Sequence, residues 1–165
     1  MIGDIAVKAG GEPDKILAAV GSDSRVGNKC LRYGFGYGGP CFPRDNRALA
    51  IYATDIDMPA KISLSTDEMN KHHLDFQTNH FVNTADRTKT YVFSNDNNYQ
   101  LGDNEVNVGP ITYKPGTNIL EESQQKAFAF NIASNGFNVK VVDTLDVIDR
   151  LQGLNDSVEL VIFDD

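Results

Sequence analysis

The sequence lacks several features that whole classes of proteins require. Its 165 residues include no tryptophan, only two cysteines and no long hydrophobic run. The longest wholly apolar stretch, residues 48–53, is far shorter than the roughly 20 residues that a transmembrane helix needs. An acid, Asp4, stands near the start, where a secretory signal would be basic and then apolar. We therefore expect no membrane partner and a cytoplasmic location.

Basic residues are also scarce. There are 15 Lys and Arg residues against 23 Asp and Glu residues, which gives a formal net charge of -8. Such a negative field repels nucleic acid phosphates unless basic side chains gather in one patch, and the sequence contains no such patch. We therefore expect no nucleic acid partner. With 41% hydrophobic residues and a mean hydropathy of -0.33, the composition is that of a soluble globular chain.

The two cysteines, Cys30 and Cys41, lie eleven positions apart. In a reducing compartment, two free thiols are expected rather than a disulfide. Each cysteine is therefore a candidate nucleophile or a small core residue, and a redox pair of the two is a weaker alternative.

Metal ligands are sparse. His72, His73 and His80 fall on one predicted helix, but no suitably spaced acid or cysteine completes a zinc site. We interpret them as solvated helix residues. The segment from Asp96 begins like a calcium loop, yet Leu101 stands where the turn needs glycine. We therefore predict no metal site.

The first half of the chain has the hydrophobic spacing of helices, separated by proline and glycine. The pattern predicts helices at residues 2–9, 13–20 and 43–56, and a long one from residue 59 toward residue 85. Residues 22–41 are rich in glycine and show little periodicity, which predicts a loop with tight turns.

After residue 87 the pattern changes to strands that alternate with helices. We predict strands at residues 91–93, 139–142 and 158–163, a segment 106–108 that leads into 111–113, and helices at 122–134 and 147–151. This order predicts a parallel α/β unit with right-handed crossovers. We place the domains at residues 1–88 and 89–165, each with a small core that favours pairing with another subunit.

The glycine segment, residues 34–39, matches the pattern G-x-G-x-x-G of dinucleotide sites. That fingerprint needs a buried strand before it and a helix that opens at its last glycine. Here a short charged stretch precedes the glycines, and Pro40 and Pro43 follow them. We therefore do not interpret this segment as a dinucleotide site.

Cys41 stands just before the helix that Pro43 starts. Unpaired N–H groups at a helix start, together with the nearby Arg44, favour the thiolate form. Asp45, in the first turn of the same helix, could orient or deprotonate a water molecule beside the sulfur. Equally, Cys41 could be an inert core thiol and Asp45 an acid favoured by the helix dipole.

Three stretches resemble the UDP-glucose/GDP-mannose dehydrogenase family: residues 25–29, residues 34–45, and residues 113–117 with 122–123. The resemblance covers residues 1 to about 76 as the family's helical central domain and about 106 to 165 as the start of its nucleotide-sugar-binding domain. It implies an α/β chain with an all-α dimerisation domain followed by a small, incomplete Rossmann-like parallel α/β domain. It also implies a homodimer through the central helices.

The resemblance implies NAD-linked oxidation of the C6 alcohol of a UDP- or GDP-sugar to a carboxylate, through an aldehyde and an enzyme thioester. Cys41 would be the nucleophile that forms the thiohemiacetal and the thioester. Asp45 would assist water and proton transfer. NAD would be the cofactor, and the nucleotide sugar would be the substrate.

Further residues are assigned to substrate binding by the same resemblance. Gly36, Gly38 and Gly39 would let the backbone pass close to the sugar. Arg25 would reach a substrate held mainly by the neighbouring subunit. Lys114 would lie near the nucleotide sugar and the cofactor.

The sequence also departs from the family. The family's NAD-binding domain and its lysine and asparagine segment, which belong before Met1, are absent from these residues. Cys30 replaces an aromatic residue that packs on the sugar, and Glu121 replaces an arginine that contacts the cofactor. We therefore expect a portion of a dehydrogenase whose isolated chain is inactive. The alternative is a non-catalytic oligomerisation or nucleotide-sugar-binding module.

Overall fold

A computed structural model describes residues 1–163 of the chain. The first half contains only helices: α1 (Ile2–Lys8), α2 (Pro13–Gly21), α3 (Phe42–Asp55) and α4 (Lys61–Thr84). The second half alternates: β1 (Thr90–Ser94), β2 (Glu105–Gly109), α5 (Gln124–Ser134), β3 (Asn138–Asp143), α6 (Leu145–Leu151) and β4 (Val158–Ile162). The predicted class, a helical part followed by a parallel α/β part, is confirmed.

Local sequence explains where the helices begin and end. Helix α2 begins with Pro13, whose missing N–H costs nothing at this position. Helix α5 begins at Gln124, two residues later than predicted, because Ser123 caps it by accepting a hydrogen bond from the backbone N–H of Lys126 at 3.1 Å. Helix α4 begins at Lys61, also two residues later than predicted. No helix within residues 1–163 is long and apolar enough to cross a membrane.

The sheet has the strand order β2-β1-β3-β4, and every pair is parallel. The loop of residues 95–104 leads from β1 outward to β2, α5 returns across β1 to β3, and α6 leads on to β4. The chain therefore leaves β1 and β3 in opposite directions. In open α/β sheets, ligands bind at such a switch point, beyond the carboxyl ends of the two strands.

The core lies on one face of this sheet, under α5 and α6. Side chains two positions apart on a strand point to the same face, which places Tyr91 and Phe93 beside Val139 and Val141. The residues of α5 and α6 that cover them share near-complete burial: Phe128, Ala129, Ile132, Val147, Ile148 and Leu151.

An aromatic cluster joins the helical half to this core. The ring of Phe81, near the end of α4, lies 4.6 Å from the ring of Tyr91 and 5.2 Å from that of Phe128. From the glycine segment, Phe35 packs edge-on against Phe128 at 5.4 Å. The long helix and the glycine segment are thus packed on the core of the α/β part. The domain boundary at residue 88 stays a prediction.

Phe128→Ala tests how much this aromatic cluster contributes to the free energy of unfolding. The ring is buried between the glycine segment, α4 and the sheet, so its loss should lower the free energy of unfolding by about 3–5 kcal/mol. Phe42→Ala, which removes a largely exposed ring, should change it by less than about 0.5 kcal/mol. Urea denaturation followed by circular dichroism measures both, and equal losses would contradict the described packing.

Candidate functional site

Cys41 lies at the start of α3 and is the N-cap residue of this helix. Its thiol is exposed, as is that of Cys30, and both are free. The backbone N–H of Asp45 donates to the carbonyl oxygen of Cys41 at 2.8 Å, which places Asp45 in the first turn. The predicted position of both residues at the helix start is therefore what the structure shows. Cys41 is not a buried core thiol.

The charges around the thiol come from the same turn. The guanidinium Nε of Arg44 donates to Oδ1 of Asp45 at 2.8 Å. This hydrogen bond, with the nearby charges of Asp45 and Cys41, raises the pKa of Arg44 above its ordinary value. Arg44 is therefore a permanent cation in the turn that follows Cys41.

The glycine segment reaches Cys41 by passing between two parts of the protein. On one side lies α4, where Asn70 Nδ2 donates to the carbonyl oxygen of Tyr37 at 2.8 Å. A Cβ atom at Gly36 would collide with Oδ1 of Asn70. Glycine at position 36 thus permits the segment to lie directly on α4.

On the other side lies the turn before α5. A Cβ at Gly38 would collide with the carbonyl oxygen of Glu122, and the Gly39 N–H donates to the carbonyl oxygen of Glu121 at 3.1 Å. Gly39 has φ of +83°, and a Cβ there would lie 2.6 Å from the ring of Tyr113. The close approaches that the glycines permit in this structure are to protein atoms, and their predicted role toward a sugar stays a prediction.

An ion-pair cluster lies one to two helical turns beyond Cys41 on α3, and it stabilises the packing around the glycine segment. Arg47 donates from Nε to Asp67 on α4 and from Nη1 to Glu122, each at 2.9 Å. Lys71 pairs with Asp67 at 2.7 Å and, with Arg47, lowers the pKa of that carboxyl group. Glu122 holds a left-handed φ of +51°, which non-glycine residues adopt at a cost. Arg47 therefore ties α3, α4 and the turn before α5 together.

Lys114 follows Tyr113, whose ring lies against Gly39. The loop that carries Lys114 therefore lies next to the glycine segment. The Lys114 side chain is exposed. Its backbone carbonyl oxygen accepts hydrogen bonds from the hydroxyl groups of Thr112 at 3.0 Å and Thr117 at 2.9 Å.

Sequence reasoning missed the residues that hold this loop. Asn95 Nδ2 lies 3.0 Å from both Thr112 Oγ1 and Asp143 Oδ2, and Asn95 Oδ1 accepts from the N–H of Gly116. Asp143 is buried, and that burial raises its pKa. Asn95 follows β1 and Asp143 ends β3, so the two meet across the switch point. The rule for carboxyl ends of parallel strands could have found them.

Arg25 lies apart from this cluster, whereas the side chain of Glu121 turns to a partner on α6. Arg25 lies in the turn after α2, where it pairs with Asp23 at 2.6 Å. Glu121, which departs from the family pattern, pairs with Arg150 at 3.0 Å. Arg25 thus has no described link to Cys41 in residues 1–163, and its role toward a neighbouring subunit stays a prediction.

The histidines differ from one another. His72 and His80 are exposed, as the sequence predicted. The prediction is wrong for His73, whose side chain is only 12% exposed and bonds to Asp4 and to the Gly34 carbonyl oxygen. Among residues 1–163, no group of three His, Cys, Asp or Glu side chains is placed to hold a metal ion.

The described residues do not fit a dinucleotide. Its cradle requires a strand, a glycine-rich turn and the N-terminus of a helix in direct succession. Within residues 1–163, the glycine segment follows irregular chain, and β1 is followed by the loop of residues 95–104. We therefore derive no chemical step through NAD from these residues.

Known proteins are similar to this chain in sequence. Residues 1–72 match the model of the UDP-glucose/GDP-mannose dehydrogenase family, central domain. UDP-glucose 6-dehydrogenase TuaD of Bacillus subtilis is 28% identical over 158 residues, which are 96% of this chain and 32% of that protein. UDP-glucose 6-dehydrogenase of Rhizobium meliloti is 39% identical over 69 residues, which are 42% of this chain and 16% of that protein.

The fold is shared with a UDP-glucose dehydrogenase from the archaeon Pyrobaculum islandicum. The superposition has a TM-score of 0.72 at 22% identity and covers 99% of this chain and 34% of that one. The chain thus spans about a third of the length of the relatives that it matches throughout. The similarity to the UDP-glucose/GDP-mannose dehydrogenase family thus consists of the central-domain match at residues 1–72 and of relatives that align with nearly the whole chain.

Proposed function

We propose that this chain supplies the thiol nucleophile of a nucleotide-sugar 6-dehydrogenase, and that Cys41 is that nucleophile. The observation that carries the proposal is the exposed Cys41 thiol at the start of α3, at the end of a glycine segment anchored on two sides. Relatives that match most of the chain are UDP-glucose and GDP-mannose 6-dehydrogenases. Because the chain spans a third of their length, the activity of the whole protein is itself part of the proposal.

Two steps of such a reaction need a nucleophile of this kind. In the first, the Cys41 thiolate attacks the C6 carbonyl carbon of a sugar aldehyde, forming a carbon–sulfur bond and an alkoxide that takes up a proton. In the second, water adds to a thioester, the carbon–sulfur bond breaks and the thiolate leaves. Thiolate suits both steps, since it is a good nucleophile and a good leaving group.

Neighbouring charges support these two roles. Arg44 pairs with Asp45 in the first turn of α3, directly after Cys41, and the first backbone N–H groups of the helix lie in the same turn. Asp45, in the same turn, is the proposed acceptor for the proton of the attacking water. Its carboxylate is exposed, so water can reach it.

The oxidation between these steps requires a hydride acceptor, which the resemblance identifies as NAD. As the described residues form no dinucleotide cradle, we assign them no part in binding its pyrophosphate, and the role of Lys114 toward it stays a prediction.

For the nucleotide sugar, we propose binding along the crevice beyond β1 and β3, with Lys114 paired to its phosphates. The loop of residues 112–117 borders that crevice and is held there by Asn95. The contact of Tyr113 with Gly39 would then direct the sugar end of the ligand toward Cys41. Arg25 would contact the substrate of a neighbouring subunit.

We also propose a homodimer through the central helices. Large apolar side chains are exposed along α3, in the connection that follows it and at the start of α4: Leu49, Ile51, Tyr52, Ile56, Met58, Ile62 and Leu64. Apolar side chains exposed in such number are typical of protein–protein contact surfaces. The non-catalytic alternative shares this dimer and the ligand site and differs only in assigning no chemistry to Cys41.

Lys114→Ala tests the ligand site. UDP-glucose or GDP-mannose should raise the melting temperature of the protein, because a ligand that binds only the folded state stabilises it. Removal of the lysine should weaken binding about tenfold or more, as expected for a charge-assisted contact to phosphate. The matched control is Lys15→Ala, an exposed lysine on α2, which should leave binding unchanged. Equal affinities for both variants would remove Lys114 from the site.

Ile62→Glu tests the dimer. Ile62 is 85% exposed, so the change should be tolerated by the fold yet place a charge in an apolar interface. We expect sedimentation equilibrium to show a dimer of the unchanged protein. The substitution should weaken association at least tenfold and shift the protein toward monomer. Leu154→Glu, at another exposed apolar position, after α6, serves as the control. A monomeric unchanged protein would refute the dimer.

A further inference from the structure

Among the strands of residues 1–163, β2 and β4 lie at the two edges of the sheet. The edge of β2 is irregular. Its pairing with β1 skips Val108, and Gly109 has φ of +123°. The side chain of Asn107 folds back, so that its Oδ1 accepts a hydrogen bond from the Gly109 N–H at 2.9 Å. Bulges and backbone groups bonded by their own strand keep an edge from pairing with another chain.

The strand at the opposite edge, β4, is regular. It pairs with β3 over five consecutive positions without a register shift. Directly after β4, the N–H of Phe163 donates to the carbonyl oxygen of Asp143 on β3 at 3.2 Å. Backbone groups of successive residues point to opposite sides of a strand, so residues 159 and 161 also face β3. Residues 158, 160 and 162 therefore direct their C=O and N–H groups to the open side, which we call the β4 edge.

The side chains of β4 are those of a strand with neighbours on both sides. Every residue of the strand except Glu159 is apolar. Leu160 and Val161 point to opposite faces of the sheet and are both partly buried, and Ile162 is 49% exposed. Such a near-continuous apolar run is typical of interior strands of parallel sheets. A regular, apolar edge is a site at which a further strand can add.

The charge of the strand is also compensated within the chain. Lys140 Nζ, on the neighbouring β3, lies 3.6 Å from a carboxylate oxygen of Glu159. Natural proteins protect open edges with charged side chains, bulges and proline. The β4 edge has none of these except the Glu159 side chain, which β3 already pairs.

The sequence of β4 is complementary to itself. Two copies related by a two-fold axis pair antiparallel, and opposite residues must lie on the same face of the sheet. An axis at Leu160 sets Leu160 opposite its own copy and Val158 opposite Ile162, so only apolar side chains meet on that face. On the other face, Glu159 lies opposite Val161. An axis at Glu159 would set two carboxylates opposite each other, which is unfavourable.

We propose that the β4 edge is an interaction surface for a second copy of this chain, in which two β4 strands pair antiparallel about Leu160. This register pairs all residues of β4 and joins the two sheets into one of twice the width. The N–H groups of Leu160 and Ile162 donate to the carbonyl oxygens of Leu160 and Val158 of the second copy. The pairing involves neither the Cys41 site nor the helical surface that contains Ile62, so it does not depend on the proposed function.

The pairing is weak by comparison with the helical dimer. The two-fold axis gives about four hydrogen bonds between the strands. Bonds of ordinary net strength in that number correspond to a dissociation constant on the order of 1 mM. Two short strands also bury less than the roughly 1,200–2,000 Å² of a stable interface. The helical dimer therefore forms at lower protein concentration, and the β4 edges join at higher concentration.

The first test is the dependence of amide exchange on protein concentration, measured by NMR. Ile62→Glu serves as the background, because it removes the helical dimer. The solution contains about 0.15 M salt, which screens the net charge of -8. Exchange of the Leu160 and Ile162 amides should slow about twofold between roughly 0.05 mM and 2 mM protein, as a dissociation constant near 1 mM implies.

The amides of Glu159 and Val161 are the internal reference for this test. Their N–H groups face β3, so their exchange should not change with concentration. Exchange of Leu160 and Ile162 that is equal at both concentrations would overturn the proposal. This measurement needs no substitution in the sheet, so it stands even where a change in β4 impairs folding.

The second test compares Ile162→Pro with Ile162→Ala in the same background. Proline removes an N–H that points to the open side and sets its ring there, while the bonds of β4 to β3 remain. Alanine keeps that N–H and is the matched control. The concentration dependence of Leu160 exchange should disappear in Ile162→Pro and persist in Ile162→Ala.

Either of two other outcomes would overturn the pairing. Equal association of the proline and alanine variants would show that the Ile162 N–H takes no part. Loss of association in both variants would assign the contact to the Ile162 side chain rather than to paired backbones. Neither measurement involves a sugar nucleotide or thiol chemistry, so an inert Cys41 would leave this proposal unaffected.

Discussion

The close approach of Gly38 to the carbonyl oxygen of Glu122 joins the two halves of the chain, and the position of Cys41 depends on it. No side chain fits between the two backbones, so only glycine allows the contact. Around it, Arg47 bridges Asp67 and Glu122, and these ion pairs keep α3 aligned with the turn before α5. The thiol is thus presented by a segment without regular secondary structure that is nevertheless fixed on both sides.

The α/β half supplies the surface on which that segment rests. Phe93 and Val141 are fully buried in the core on this sheet. The ring of Phe128, on α5, packs against the rings of Phe35 and Phe81 from the helical half. The loop that bears Lys114 is held by Asn95, directly beyond the carboxyl end of β1. The helical half, which carries Cys41, and the sheet half, which carries the loop of Lys114, therefore meet where Gly39 lies against Tyr113. This geometry matches the need of a reaction in which the sugar end of a bound nucleotide sugar must reach a thiol.

The element order was predictable because its causes are local: hydrophobic spacing, Pro13 and Pro43 at helix starts, and glycine at helix ends. The glycine segment and Cys41 were predictable as a motif. The environment of His73 was not, because its partners Asp4 and Gly34 are 69 and 39 positions away in the chain. Nothing in local spacing distinguishes it from its exposed neighbour. The contact of Asn95 with Asp143 could not be predicted from local spacing either, because it forms only when β1 and β3 pair.

The central claim, that Cys41 is the nucleophile, is tested most directly by thiol protection. The C6 aldehyde of UDP-glucose or GDP-mannose is added, and alkylation of the two exposed thiols by iodoacetamide is followed by mass spectrometry. A thiohemiacetal would protect Cys41 and leave Cys30 as an internal reference. The account predicts slower alkylation of Cys41 alone, reversed when the aldehyde is removed. Unchanged alkylation of Cys41, at aldehyde concentrations that stabilise the protein against heat, would contradict it.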